Sequence, residues 1–512
     1  NRMICGFGDT HPGYLNTNPI SRMIRNAQHN GKKEQEEYFT AMLKCFHPDA
    51  GKNKDNKKSV PVSISSFFDE KPLELNPNIE AGKIEQYVSP LFYAPNVSWL
   101  VQRNGMNPRN SLMISLNASE GNHMHANGIS MELYGKGYVL APDAGIGLYL
   151  YSGLDYLEYY SQFPSHNTVC VDGISSYPVM KSNHSFDLKS SFPVSSEPGK
   201  AFTSVTYSDV SFREPESRAD QTRMMSIVTT GPETGYYVDI FRSRKERGGD
   251  KMHDYFYHNL GQTLTLTGTD GADLNLHPTE ELAFAGAHLY AYSYIYDKKS
   301  ATTDKDIKAT FTIAMPDKDD ISMNLWMKGE TDREVFTALS PMTEGLSRNI
   351  KEQPTLTFVA RQKGEAWNRP FVAVYEPSSV KEPGCITEVS FPEVKSKTEN
   401  SATSICVVQK DGRIDYILSS DNPTDICTSG KMSAQATYAL WGNKKGDDCT
   451  FFLGHGTLLS TPNVVIKAET PAEILLEFKK GAWYYTASTD CTVSIQKKTY
   501  KLKANTEEKI LK

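Results

Sequence analysis

Cysteine is scarce in this sequence, with 8 residues in 512. Cys5, Cys45, Cys170, Cys385, Cys406, Cys427, Cys449 and Cys491 are scattered, and no two form a Cys-x-x-Cys pair. That excludes a zinc ribbon or a thioredoxin-type centre, and the density is too low for a disulfide scaffold. Cys170 lies in the apolar run Thr168-Val169-Cys170-Val171 and is expected to be a buried free thiol. No apolar run approaches the roughly 20 residues that span a bilayer as a helix. An excess of basic charge is also missing: 55 Lys and Arg face 61 Asp and Glu, a net charge of −6. A global basic field for nucleic acid is therefore excluded. Internal repeats and low-complexity segments are absent, and helices do not alternate with strands, which excludes a parallel α/β sheet.

What is present points to strands. Tyr alone contributes 27 residues, beside 35 Gly and 27 Pro. Tyrosines fill pleated surfaces, and they also suit carbohydrate, with an apolar face and a hydroxyl. At roughly 150 residues per unit, the length suggests about three units. Helical periodicity is clear only near the start. Pro19 to Asn30 and Lys33 to Phe46 read as two helices, with His29-Asn30-Gly31 as the turn between them. The lysine-rich stretch 51–58 has no apolar residue and reads as a linker. Beyond it the period changes to two. Ser111–Leu116 and Ile129–Tyr134 alternate, and Gly135-Lys136-Gly137 reverses the chain into Tyr138-Val139-Leu140. Short strands continue to the C-terminus, with a weaker break over Ser419–Lys431. The predicted fold is mainly β: a large antiparallel β-sandwich preceded by helices. The expected divisions are 1–60 helical, 61–425 sandwich and 426–512 a small C-terminal β unit.

The chemistry concentrates in residues 121–173. The segment begins Gly121-Asn122-His123-Met124-His125-Ala126-Asn127-Gly128. It continues through Ala141-Pro142-Asp143-Ala144-Gly145 to Pro164-Ser165-His166-Asn167-Thr168-Val169-Cys170-Val171-Asp172-Gly173. On a strand, His-x-His places both imidazoles on one face and offers a metal two nitrogens. Asp143, after the hairpin, and His166, before the next strand, can complete a set of two nitrogens and one oxygen. His125, Asp143 and His166 are thus the candidate ligands, for which Zn2+ is favoured and Ca2+ is the alternative. A cupin would need a Glu four or five residues after the second His. Positions 129 and 130 are Ile and Ser, and Glu132 comes too late, on the opposite face from His123.

The order Gly-x-His-x-His-x-Asn-Gly, Asp-x-Gly, His-Asn-Thr-Val-x-Val-Asp-Gly resembles the heparinase II/III-like polysaccharide lyases. So do Val238-Asp239-Ile240-Phe241-Arg242, His253-Asp254-Tyr255-Phe256-Tyr257-His258 and the early Gly6-Phe7-Gly8-Asp9. Asn127 departs from the pattern, since many members carry Asp there. The resemblance implies the end of an incomplete (α/α) toroid followed by a layered antiparallel β-sandwich. It implies β-elimination on an anionic uronic-acid polysaccharide, of glycosaminoglycan or alginate type. His123 would lie in the cleft, and His125, Asp143 and His166 would hold a structural zinc. Export to the periplasm or cell surface follows from the same resemblance. In the family the principal catalytic Tyr sits in the toroid, upstream of His-x-His. Only two helices precede that motif here, so the remaining toroid is expected on a missing segment of the same polypeptide.

The reaction sets the other candidates. Removing a proton from C5 of a uronate needs its carboxylate neutralised, a base near C5 and an acid near the leaving oxygen. His123 suits the catalytic role, and the resemblance implies Tyr160, in the interval before His166, as the second catalytic candidate and Arg103 as the arginine facing the anionic sugar; Asn122 is the other substrate-binding candidate and Arg109 the weaker arginine. His253 and His258 are expected to be structural. Two other readings stand beside the lyase. One is a non-catalytic glycan-binding β-sandwich with a structural zinc. The other is a glycoside hydrolase, which would need a carboxylate pair that the motif region does not offer.

Overall fold

A computed structural model describes residues 3–4, 13–14, 16–47, 73–147, 154–175, 181–194, 197–232, 234–249, 251–283, 291–315, 319–343, 353–397, 402–444, 448–496 and 498–511. The Gly6–Asp9 motif, the lysine-rich linker and the 60/61 boundary lie outside these residues. The two predicted helices are Asn18–His29 and Lys33–Phe46. Pro19 opens the first, where a missing N–H costs nothing. Gly31, at φ +62°, turns the chain between them. Among the described residues no helix is long and apolar enough to cross a membrane.

Every strand pair in the larger sheets is antiparallel, as expected. One sheet has eight strands, from Asp187–Phe192 at one edge to Thr263–Gly268 at the other. A six-stranded sheet contains Val169–Val171, Met252–Asn259 and Thr355–Lys363. A five-stranded sheet contains Trp99–Arg103, Met113–Asn117, Ser130–Gly135 and Tyr138–Ala141. The last two of these form the predicted hairpin, with Gly135 opposite Tyr138 and Lys136 and Gly137 both at positive φ. That conformation matches the right-handed twist of the strands it joins.

The eight-stranded sheet is the middle of three layers. On one face Val210, Met225, Ile227, Phe241 and Tyr375 pack with Leu116 and Met131 of the five-stranded sheet and with Val171, Tyr255 and Phe358 of the six-stranded sheet. On its other face Tyr207, Tyr236, Val238 and Val374 pack against Val407, Ile417, Tyr438 and Phe452 of the C-terminal sheet. Burial on both faces explains why Tyr236–Phe241 reads as a continuous apolar run, broken only by Asp239.

The C-terminal sheet has eleven strands, starting at Ile386–Ser390. The expected 425/426 division falls within it. Strand Arg413–Ser420 pairs with Met432–Lys444 across that point, and the intervening Cys427–Ser429 pairs with Met432–Lys444 as well. The seven described cysteines are free. Cys170 is fully buried, which pushes its thiol well above its ordinary range.

Candidate active site

The His-x-His segment does not form a strand. Its strand, Ser119–Asn122, ends before the first histidine and, among the described residues, pairs only with Lys181–His184. Gly121 at φ +110° and His123 at φ +60° turn the chain. Alternation fails there, and the two imidazoles face different surroundings: His123 is exposed, while His125 is 1% exposed. The sequence-based expectation of two histidines on one face is thus corrected. Asn122 is exposed beside His123, at the end of the ribbon.

Past the turn the chain dives inward. The Asn127 N–H donates to the His125 carbonyl at 2.9 Å and to Ser119 Oγ at 3.0 Å. The Ser119 hydroxyl in turn donates to the His125 carbonyl. Gly128, at φ +60°, admits the Phe163 ring where a Cβ would stand. This tight turn delivers His125 to Asp143 and His166. His166 Nδ1 is 3.0 Å from Asp143 Oδ2, and the His125 and His166 ring centroids are 5.5 Å apart. Asp143 and His166 are both buried. The predicted trio therefore meets, from three separate segments of chain.

Asp143 is held on all sides. Its Oδ1 accepts the Gly145 N–H at 3.1 Å, its Oδ2 accepts Asn127 Nδ2 at 3.3 Å, and its own N–H donates to Glu132 Oε1 at 2.8 Å. Burial pushes the carboxyl up, but His166, His125 and the Gly145 N–H outweigh it and hold Asp143 below the usual range. Two neighbouring atoms are not provided for. His166 Nε2 and Asn127 Oδ1 are buried without a hydrogen-bond partner, an arrangement that costs about 1–3 kcal/mol per group. Among the described residues no three His, Cys, Asp or Glu side chains are disposed as a ready-made cation cage. The donor chemistry, two imidazoles and a carboxylate, fits zinc, and His166 Nδ1 and Asp143 Oδ2, 3.0 Å apart, are close enough to share one ion.

Two further networks hold these segments in place. Asn167 Nδ2 donates to the Met131 carbonyl at 3.0 Å, and its Oδ1 accepts the His258 N–H at 2.6 Å. Arg223 Nη1 donates to the carbonyls of Ile129 and Asn167, both at 2.7 Å. Those carbonyls lie just beyond Asn127 and His166. Arg223 is itself paired at two points with Asp239, at 3.0 and 2.7 Å, and both side chains are fully buried.

The remaining candidates lie elsewhere. Tyr160 is 4% exposed, donates its hydroxyl to the Met342 carbonyl at 2.8 Å, and packs against the backbone of Gly147. Arg103 pairs in register with Met113, while Trp99 pairs with Asn117 near the ribbon. Four residues of strand, about 13 Å, thus separate Arg103 from the His-x-His end of the sheet. Its Nη1 lies 3.8 Å from Met106 Sδ. Arg109 is ion-paired with Asp319 at 2.6 Å and Glu382 at 2.8 Å. His253 Nδ1 meets Ser243 Oγ at 2.8 Å, and His258 bridges Thr357 Oγ1 and the Pro164 carbonyl, so both are structural histidines. Sequence reasoning assigned no role to Asn127, Glu132 or Arg223. Only Asn127 carried a signal, as the second position after His125.

The structure thus combines antiparallel sheets with an exposed histidine two residues before a buried imidazole–carboxylate cluster. Residues 88–215 match the family described as Heparinase II/III-like, C-terminal, and the chain carries that heparinase II/III-like region. It is 27% identical over 493 residues to an endo-acting ulvan lyase from Formosa agariphila, covering 91% of this chain and 58% of that protein. The chain thus spans 58% of the length of the curated relative it matches. A crystal structure of heparinase III is similar at 11% identity and TM-score 0.46, over 82% of this chain and 51% of that one. The heparan sulfate lyase HepC from Pedobacter heparinus is similar at 12% identity and TM-score 0.37, over 81% of this chain and 50% of that one.

Proposed function

We propose that this polypeptide is a polysaccharide lyase that cleaves a uronic-acid-containing polymer by β-elimination. The observation that carries the reading is the placement of His123. It is the one histidine of the cluster region turned outward, on a short ribbon rooted directly in the buried trio. In this reading a base takes the C5 proton and the electron pair forms the C4–C5 double bond. The O4 leaving group departs with a proton from an acid. His123 acts as the base or neutralises the uronate carboxylate, and Asn122 hydrogen-bonds the sugar beside it. Tyr160 and Arg103 have no part in the proposal, because one is packed in the core and the other lies far along the strand.

His125, Asp143 and His166 would hold zinc, with calcium as the alternative. Such an ion supplies folding energy and rigidity. The three side chains anchor the turn whose outer end carries His123, and so aim it. A polymer substrate goes with export, so a periplasmic or cell-surface location belongs to the same reading.

Ulvan, named for the 27%-identical relative, is the first polymer to test, followed by heparan sulfate, chondroitin, hyaluronan and alginate. The assay follows the ultraviolet absorbance of the unsaturated uronate in the intact-length protein and in His123→Ala. A rise lost in the variant supports the lyase and its site. A rise that survives His123→Ala removes His123 from the chemistry. No rise on any of the five, with glycan binding retained, favours the non-catalytic binding protein.

A further inference from the structure

We infer that Asn127 is a fourth member of the metal site, giving its side-chain oxygen to the ion that His125, Asp143 and His166 hold; this rests on the metal-binding part of the reading above. The starting point is an amide with one end provided for and the other not. Asn127 is fully buried. Its Nδ2 faces Asp143 Oδ2 at 3.3 Å. That contact fixes which end of the amide is which, because an oxygen there would confront the carboxylate. Oδ1 is then left buried with no hydrogen-bond partner. A native fold seldom leaves an acceptor in that condition.

The backbone shows that the placement is built rather than incidental. The Asn127 N–H closes a tight turn onto the His125 carbonyl at 2.9 Å and is also held by Ser119 Oγ at 3.0 Å. Residues 125 and 127 are thereby locked together, with Gly128 supplying the positive φ that follows. The second orphan of the cluster, His166 Nε2, lies across the imidazole ring from Nδ1, which meets the same Asp143 Oδ2 at 3.0 Å. Two imidazoles and one carboxylate leave a tetrahedral zinc one donor short. An amide oxygen is the donor type that completes such a set. It makes two nitrogens and two oxygens, a mixture suited to zinc that also admits harder ions such as manganese.

The test uses the intact-length protein, stripped of metal and titrated with Co2+, whose visible spectrum reports its ligands. Wild type is expected to bind one Co2+ per chain, and His166→Ala none. Asn127→Leu keeps the approximate size and removes both polar ends. It should weaken Co2+ by about tenfold or more and change the visible bands. Asn127→Asp places a carboxylate oxygen where the amide oxygen stood and should hold Co2+ at least as tightly as wild type. Wild-type affinity and spectrum in Asn127→Leu would overturn the inference while leaving the metal site standing. So would loss of the ion in Asn127→Asp, because the amide would then serve only as a donor to Asp143. Should Asn127→Leu fail to fold, the Asn127→Asp result decides alone. No Co2+ bound by folded wild type would overturn both the inference and the metal-binding reading.

Discussion

Two buried polar networks lie within a few residues of each other, and they are finished differently. Arg223 and Asp239 form a closed one. The guanidinium meets both carboxylate oxygens and two backbone carbonyls, and Tyr255 donates to Asp239 Oδ2 at 2.6 Å while its hydroxyl also meets that of Tyr375. The Arg223 guanidinium also stacks 5.2 Å from the Phe241 ring centroid. The trio of His125, Asp143 and His166 is an open network, in which His166 Nε2 and the nearby Asn127 Oδ1 have no hydrogen-bond partner. A closed network is complete without a ligand and serves the fold. An open one at the root of an exposed histidine is where a ligand is expected. The closed network also grips the backbone of the open one, at Ile129 and Asn167.

The largest effect of a substitution should come from breaking the closed network. Arg223→Met leaves Asp239 buried and uncompensated, and stability to urea should fall by about 3–5 kcal/mol. Adding Asp239→Leu should recover part of that loss, because the stranded charge is gone. A loss below about 1 kcal/mol would mean that the pair is not closed as described.

Removing an ion should come next. A metal present at about 100 times its Kd adds about 2.7 kcal/mol. A chelator should lower wild-type stability by that order and leave His166→Ala unchanged. Equal chelator effects on both proteins would place the metal elsewhere.

The structural histidines contribute a pH dependence of their own. Burial pulls His253 and His258 down to about 4, from 6.5 when free. Between those values the unfolded chain binds protons that the folded one refuses. Stability therefore falls as pH drops from 6.5 towards 4, by about 1.4 kcal/mol per pH unit for each histidine. Urea unfolding followed across that window should show the slope, and His258→Gln should reduce it by about one proton. A flat profile would contradict the burial of both rings.

The smallest effect belongs to the exposed end. His123→Gly relieves a side chain at φ +60° and should change stability by less than about 1 kcal/mol. The same substitution should abolish elimination. A strongly destabilised His123→Gly would make His123 part of the fold rather than of the cleft.

The strands were legible because alternation and turn residues were. Gly135-Lys136-Gly137 announced its hairpin, and the two helices fall where periodicity placed them. The layering was not legible. A middle sheet buried on both faces loses its alternation, and the C-terminal sheet recruits strands from before the apparent break at residues 419–431. Within the site, His125 could be read from its His-x-His motif, and Asp143 and His166 because each lies just outside a strand. The opposite fates of His123 and His125 could not, since the positive φ at Gly121 and His123 breaks the two-residue period. Gly121 and Gly128, flanking the motif, were the available warning. Tyr160 was chosen by its place before His166, but Tyr156, Tyr159 and Tyr160 are three tyrosines buried together in one short helical turn. Arg223 was beyond reach, because its bonds to Ile129 and Asn167 span 94 and 56 residues.

The most direct test of the open-network account is anomalous scattering at the zinc edge from crystals of the intact-length protein. The account predicts a single peak at this site, about 2.0–2.2 Å from His125, Asp143 and His166. No peak there, with His166 Nε2 hydrogen-bonded to a buried water, would contradict it.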